Sequence, residues 1–130
     1  MTPGEVVRAY LKLFETEDVA GLDALMVEDV QVWGANQYVR DRKAVAGSVA
    51  GTPGLSNCRI EIVEFFEAGD RVTVYFRNTY RHDASGRDIQ MTGMKMYEVR
   101  DGRIVRFWGE TDLWGLLRSA GKVPDQADFS

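Results

Sequence analysis

Residues 86–124, GRDIQMTGMKMYEVRDGRIVRFWGETDLWGLLRSAGKVP, decide the fold. The stretch reads as a strand over 88–99, a tight turn at Asp101-Gly102, a strand over 103–111 and a short helix over 113–120. An Asp-Gly pair between two β-rich runs is the strongest short-range hairpin signal a sequence offers. Asp112 is most simply the N-cap of the helix, which Gly121 and Pro124 end. Upstream, residues 71–81 alternate Val72, Val74, Phe76, Asn78 and Tyr80 with Thr73, Tyr75, Arg77 and Thr79, the period of a strand. A Gly69-Asp70 turn joins this strand to one over 57–66, and a polar tip at 82–86 leads on to the hairpin. These strands make an antiparallel meander.

The first third is helical. Thr2-Pro3-Gly4-Glu5 is a capping box with proline at the first helical position, and Val6, Val7, Tyr10, Leu11 and Phe14 follow as one apolar stripe. Asp18 is expected to cap a second helix with the stripe Val19, Leu22, Leu25 and Met26, closed by Glu28-Asp29 before a short strand over 30–34. Residues 42–50 form a weaker third helix, stopped by Gly51-Thr52-Pro53-Gly54. Helices first and a meander after them predict one α+β domain over residues 1–124. Three N-terminal helices cover the concave face of a curved, mainly antiparallel sheet. Residues 125–130 are a fraying tail.

Composition narrows the function. The chain has 130 residues, 45% hydrophobic and 28% charged, enough for a full core. A net charge of −4 and a pI near 5.0 argue against nucleic acid as a partner, which calls for a basic face. No apolar run approaches the ~18–20 residues that span a bilayer, and the first residues do not read as a signal peptide, so no membrane partner and a cytoplasmic location are expected. The single cysteine, Cys58, forms no internal disulfide or cysteine-rich zinc site and reads as a small buried hydrophobe. The single histidine, His82, falls in the polar tip. The sequence holds no HExxH, GxSxG, P-loop or GxGxxG motif, so neither a metal nor a cofactor is expected.

A bent sheet covered by helices encloses a cavity, and alternation names the residues that face it. One row of the 88–99 strand carries Ile89, Met91, Gly93, Lys95, Tyr97 and Val99; the other carries Gln90, Thr92, Met94, Met96 and Glu98. Lys95 thus stands in an otherwise apolar row. Either the row faces solvent or the ammonium snorkels to water along its stem, or it is a pocket cation able to bind an anionic or enolate oxygen or to act as base or amine nucleophile. Asn78, between Phe76 and Tyr80, either pairs with backbone or orients a ligand. On the last strand Val105, Phe107, Gly109 and Thr111 share one face. Gly109 marks a bulge or a close approach to the backbone, and a bulge would turn Glu110 toward the cavity. The pocket residues are therefore Phe14, Phe76, Met91, Tyr97, Phe107 and Gly109, with Tyr10, Asn78, Lys95 and Glu110 as candidate catalytic groups.

VRAYLKLFETEDVAGLDALMVEDV near the start and YEVRDGRIVRFWGETDLWGLLRSAG near the end resemble the SnoaL-like branch of the nuclear transport factor-like cone superfamily. That branch includes polyketide ester cyclases, with limonene epoxide hydrolases and ketosteroid isomerases as cousins. The resemblance spans nearly the whole chain and implies a cone-shaped α+β fold, a pocket for a small apolar or anionic molecule, and a homodimer. The outer sheet face (Arg77, Met94, Met96, Trp108) would be its contact surface. Residue by residue, the acid/base aspartate of the cyclases and one aspartate of the epoxide hydrolases fall at Gly109. The cyclase histidine and the second isomerase aspartate fall near Lys95, the isomerase base falls at Gly34, and the isomerase tyrosine falls at Tyr10. Two functions follow: a cofactor-free enzyme doing proton-transfer chemistry (cyclisation, isomerisation, dehydration or epoxide opening), or a binding module that kept the cone without its carboxylates.

Overall fold

The computed structural model describes residues 1–34 and 37–130. Along the chain run α1 (Pro3–Thr16), α2 (Leu22–Leu25), β1 (Met26–Gly34), β2 (Gln37–Val39), α3 (Arg42–Val49), β3 (Leu55–Ala68), β4 (Arg71–His82), β5 (Arg87–Arg100), β6 (Arg103–Thr111) and α4 (Leu113–Ser119). Among the described residues the strands form one six-stranded sheet in the order β2-β1-β6-β5-β4-β3. Neighbours are antiparallel except β1 and β6, which run parallel. This is the expected α+β architecture.

Local chemistry sets the elements as the sequence predicts. Thr2 Oγ1 accepts from the Glu5 N–H at 3.2 Å, and Glu5 Oε1 accepts from the Thr2 N–H at 3.3 Å, which satisfies two amides that the helix leaves unpaired. The α1 stripe then packs against the sheet, with Val6, Val7 and Tyr10 at most 1% exposed; each aliphatic side chain so buried contributes about 1.5–3 kcal/mol. At the β5–β6 turn Asp101 and Gly102 take φ of 51° and 76°, which matches the twist of the two strands. Asp112 Oδ1 accepts from the Gly115 N–H at 2.8 Å and caps α4.

Four expectations are corrected. The second helix is a single turn. Asp18 Oδ1 accepts from the Gly21 N–H and closes a tight turn, and the strand begins at Met26, so Glu28 and Asp29 lie within β1. Short apolar runs serve helix and strand equally, and here Leu22, Leu25 and Met26 are buried by either route. Second, β2 was not anticipated; it extends the sheet beyond β1. Third, no bulge forms at Gly109: Lys95 faces Gly109, Met94 faces Glu110 and Gly93 faces Thr111 in unbroken register. Glu110 therefore stays on the opposite face, exposed. Fourth, the bulge lies at Val105, where Glu98 pairs with Arg106 but Val99 pairs with Ile104. Ile104, fully buried, takes the inner place that simple alternation assigns to Val105. This bulge and two in β3, after Ser56 and after Ile62, bend the sheet around its concave face.

Candidate functional site

The concave face holds three adjoining hollows that meet at one residue. The first, about 180 Å³, lies between Phe14, Phe76, Asn78, Tyr80, Met91 and the loop at Gly51 and Thr52. The second, about 210 Å³, is walled by Val32, Gly34, Val39, Phe107 and Gly109. The third, about 320 Å³, lies under α1 and α3 between Tyr10, Phe14, Val45, Ser48 and Phe107. Lys95 lines all three.

Alternation along β5 turns Lys95 inward, and its neighbours hold it. A Cβ on Gly109, directly across the strand pair, would lie 3.0–3.2 Å from Cγ, Cε and Cδ of Lys95. The lysine stem fills the space a side chain at position 109 would need. Gly34 is equally constrained, since a Cβ there would come within 2.7 Å of the Gly109 carbonyl oxygen. Packing thus leaves no room for a side chain at either of these two glycines. The Lys95 ammonium lies 5.7 Å from the Phe76 ring centroid and 5.5 Å from that of Phe107, and among the described residues it joins no ion pair. Burial lowers its pKa from the ordinary 10.5 to about 8, because desolvation penalises the charged form.

Asn78 is the second polar point. It is 8% exposed; its Nδ2 donates to the Tyr80 hydroxyl at 3.1 Å, while its buried Oδ1 has no partner among the described residues. A buried amide oxygen without a donor carries a desolvation cost that a ligand hydroxyl in the first hollow would relieve. The Tyr80 hydroxyl and the Cys58 thiol line the same hollow, and burial is the main cause raising both their pKa values.

Tyr10 reaches the third hollow and packs edge-on against Phe14 (5.2 Å between centroids) and Tyr97 (5.8 Å). Burial pushes the Tyr10 phenol far up, so it serves as a hydrogen-bond donor. Tyr97 differs from expectation. It is fully buried behind Tyr10 and Phe107, outside the walls of the three hollows, and its hydroxyl has no partner. Phe14, Phe76, Asn78, Met91, Lys95, Phe107 and Gly109 all line the cavity, whereas Glu110 is exposed on the other face.

Sequence reasoning missed the wall from β1, β2 and α3 (Val32, Val39, Ser48), and Glu17 at the rim of the first hollow. The β1–β2 wall depends on strand pairing that leaves no local signal. Glu17 sits where α1 ends in a left-handed residue (φ 55°), at a position that periodicity reads as solvent.

A curved sheet with helices over a polar-pointed cavity defines a small-molecule cone fold. The chain belongs to the SnoaL-like domain family, whose family model matches residues 7–107. Among solved structures it is similar to IdmH of Streptomyces antibioticus, provisionally a polyketide cyclase, at 22% identity over 93% of this chain and 99% of that one, with a TM-score of 0.85. It is also similar to a limonene epoxide hydrolase-like enzyme of M. tuberculosis (21% identity, 92% of both chains, TM-score 0.74). A third likeness is a ketosteroid isomerase-like protein of Catenulispora acidiphila, solved with trimethylamine (19% identity, 98% and 100%, TM-score 0.80). At these identities the likeness shows the fold. No curated protein matches the chain.

Proposed function

We propose that the chain is a cofactor-free enzyme that moves a proton on an apolar, polyketide- or terpenoid-like substrate, with Lys95 facing the oxygen on which negative charge develops. The observation that carries this reading is one half-buried ammonium, in no ion pair among the described residues, at the junction of three hollows. A cation held in a largely apolar setting stabilises an enolate or alkoxide more than one in bulk water. Tyr10 adds a neutral donor from the third hollow, and Asn78 Oδ1 receives a substrate hydroxyl in the first.

The test is exchange of the α-protons of decalone in deuterated water, followed by NMR. The protein should accelerate exchange, and Lys95→Met should lower that rate by roughly 10²–10³-fold, the usual cost of removing one oxyanion contact. Methionine keeps the stem volume, so the variant should remain folded. Equal rates for the two proteins would overturn the reading.

The second reading is a binding module, favoured by Gly109 where the family resemblance places a carboxylate and by Glu17, the one carboxylate lining these hollows among the described residues, lying at the rim of the first. Decalone binding without any exchange would support it. We further propose that two copies associate through the sheet face opposite the cavity, where Met94 and Met96 are 54% and 41% exposed.

A further inference from the structure

We propose that Lys95 is an amine nucleophile that forms an iminium with an aldehyde or ketone substrate. This rests on the proton-transfer reading of the same cavity and names its chemistry. That reading leaves a difficulty: among the described residues the one carboxylate lining the hollows is Glu17, at the rim of the first. Gly109 and Gly34 have no side chain and Glu110 points away, so no carboxylate stands beside Gly109 to take a proton from carbon. Covalent activation removes the difficulty. An iminium acidifies the adjacent C–H bonds, so water in the cavity suffices as the proton acceptor.

The geometry suits the step. The stem of Lys95 occupies the space that a Cβ on Gly109 would need, at 3.0–3.2 Å from that position, and the residue lines all three hollows. No carboxylate holds the nitrogen as ammonium among the described ion pairs. The Phe76 and Phe107 rings, 5.7 and 5.5 Å away, stabilise an iminium cation as they do an ammonium. Burial supports the same role, bringing the ammonium to about 8, so a share of free amine exists near neutral pH. Lys12, by contrast, is exposed and paired with Glu15 at 3.4 Å.

In the step the Nζ lone pair attacks the carbonyl carbon and the C=O π pair moves to oxygen. The nitrogen gives up a proton and the oxygen takes one, giving a carbinolamine. Protonation of that hydroxyl and loss of water leave the C=N⁺ bond. Water then removes an α-proton, and the C–H pair becomes the enamine double bond. Reprotonation at carbon and hydrolysis by one water return the amine and a carbonyl compound. There is no net oxidation or reduction.

The experiment is reductive trapping on the intact protein with decalone and cyanoborohydride, read by intact mass and peptide mapping. Hydride adds to the iminium carbon, so the mass rises by that of the ketone less one oxygen atom. The label should fall on Lys95 in preference to Lys12, Lys43 and Lys122, and intact protein should lose it in Lys95→Arg, which keeps the positive charge but has no amine to condense. Circular dichroism checks that the variant is folded. Wild-type protein labelled only on the other three lysines, or not at all, overturns the proposal. If trapping fails while decalone exchange persists and falls in Lys95→Met, the electrostatic role of Lys95 stands and the iminium falls. If exchange is absent too, the proton-transfer reading falls with it.

Discussion

On the sheet face opposite the cavity, Glu98 is 1% exposed and meets three guanidinium groups. Arg100 lies 2.6 Å from one carboxylate oxygen, and Arg106 and Arg71 face the other. On the concave face of the same strand, the half-buried Lys95 lies among aromatic rings and meets no carboxylate among the described ion pairs. Both are charges drawn from water, Glu98 wholly and Lys95 in part, and such removal costs up to several kcal/mol unless partners repay it. Glu98 is repaid within the fold by charge: Oε1 accepts a hydrogen bond from Arg100, and Oε2, which accepts none among the described residues, is ion-paired with Arg106 and Arg71. The cluster ties β4, β5 and β6 together at the bulge after Ile104, where the ladder hydrogen bonds are interrupted. Lys95 is not repaid, and neither is the oxygen of Asn78. A burden left open beside a cavity is what a bound ligand would lift, and the contrast between the faces separates holding the sheet from preparing a site.

Three substitutions would break or sharpen this contrast. The largest effect on stability belongs to Glu98→Ala. Removing the hub of a buried ion cluster costs about 3–4 kcal/mol, the lower part of the usual range because the three arginines can rehydrate. Urea denaturation should show this loss at pH 7 and, undiminished, at pH 10. A variant as stable as the wild type would mean that the cluster is ornamental.

Lys95→Met should behave in the opposite way. Below about pH 8 the lysine is protonated in both folded and unfolded chains, and folding carries the full cost of burying the charge. Between about pH 8 and the ordinary 10.5, the folded chain has released a proton that the unfolded chain still holds, so the cost fades as pH rises. Wild-type stability should therefore rise relative to Lys95→Met by up to about 3 kcal/mol between pH 7 and pH 10.5, at 1.36 kcal/mol per pH unit. A stability gap between the two proteins that does not move with pH would show Lys95 to be hydrated.

The smallest effect on stability is expected at the exposed Met94. Met94→Lys should change folding by no more than about 0.5 kcal/mol, as surface substitutions do. The same change should shift the mass by light scattering from dimer to monomer at tens of micromolar. An unchanged monomeric mass for the wild type would remove the proposed association.

The inward row of β5 was legible because side chains alternate strictly along a paired strand, so one correct register assigns Ile89, Met91, Lys95 and Tyr97 together. The same rule failed on β6. The bulge shifts the facing between the start of β6 and the rest, so Ile104 and not Val105 joins the inner face with Phe107 and Gly109, and the glycine at 109 was a better local signal for a bulge than the valine at 105 that makes one. Tyr97 faces inward as alternation says, yet it lies behind Tyr10, since alternation gives a direction and not a depth. Glu17, Ser48 and Val39 come from three separate elements, and no period within any one of them marks its end of the cavity.

By itself the sequence determined the helices at each end, the meander, the Asp101-Gly102 hairpin and the oddity of a lysine in an apolar row. These follow from caps, turn residues and period, which act over a few residues of chain. Tertiary structure alone decided the parallel pairing of β1 with β6, the bulge at Val105, the outward turn of Glu110, and the arginines that gather on Glu98. It also decided that Lys95 lies along Gly109 where three hollows meet. Such outcomes depend on residues far apart in sequence competing for the same space and the same charge, and only the closed sheet brings them together.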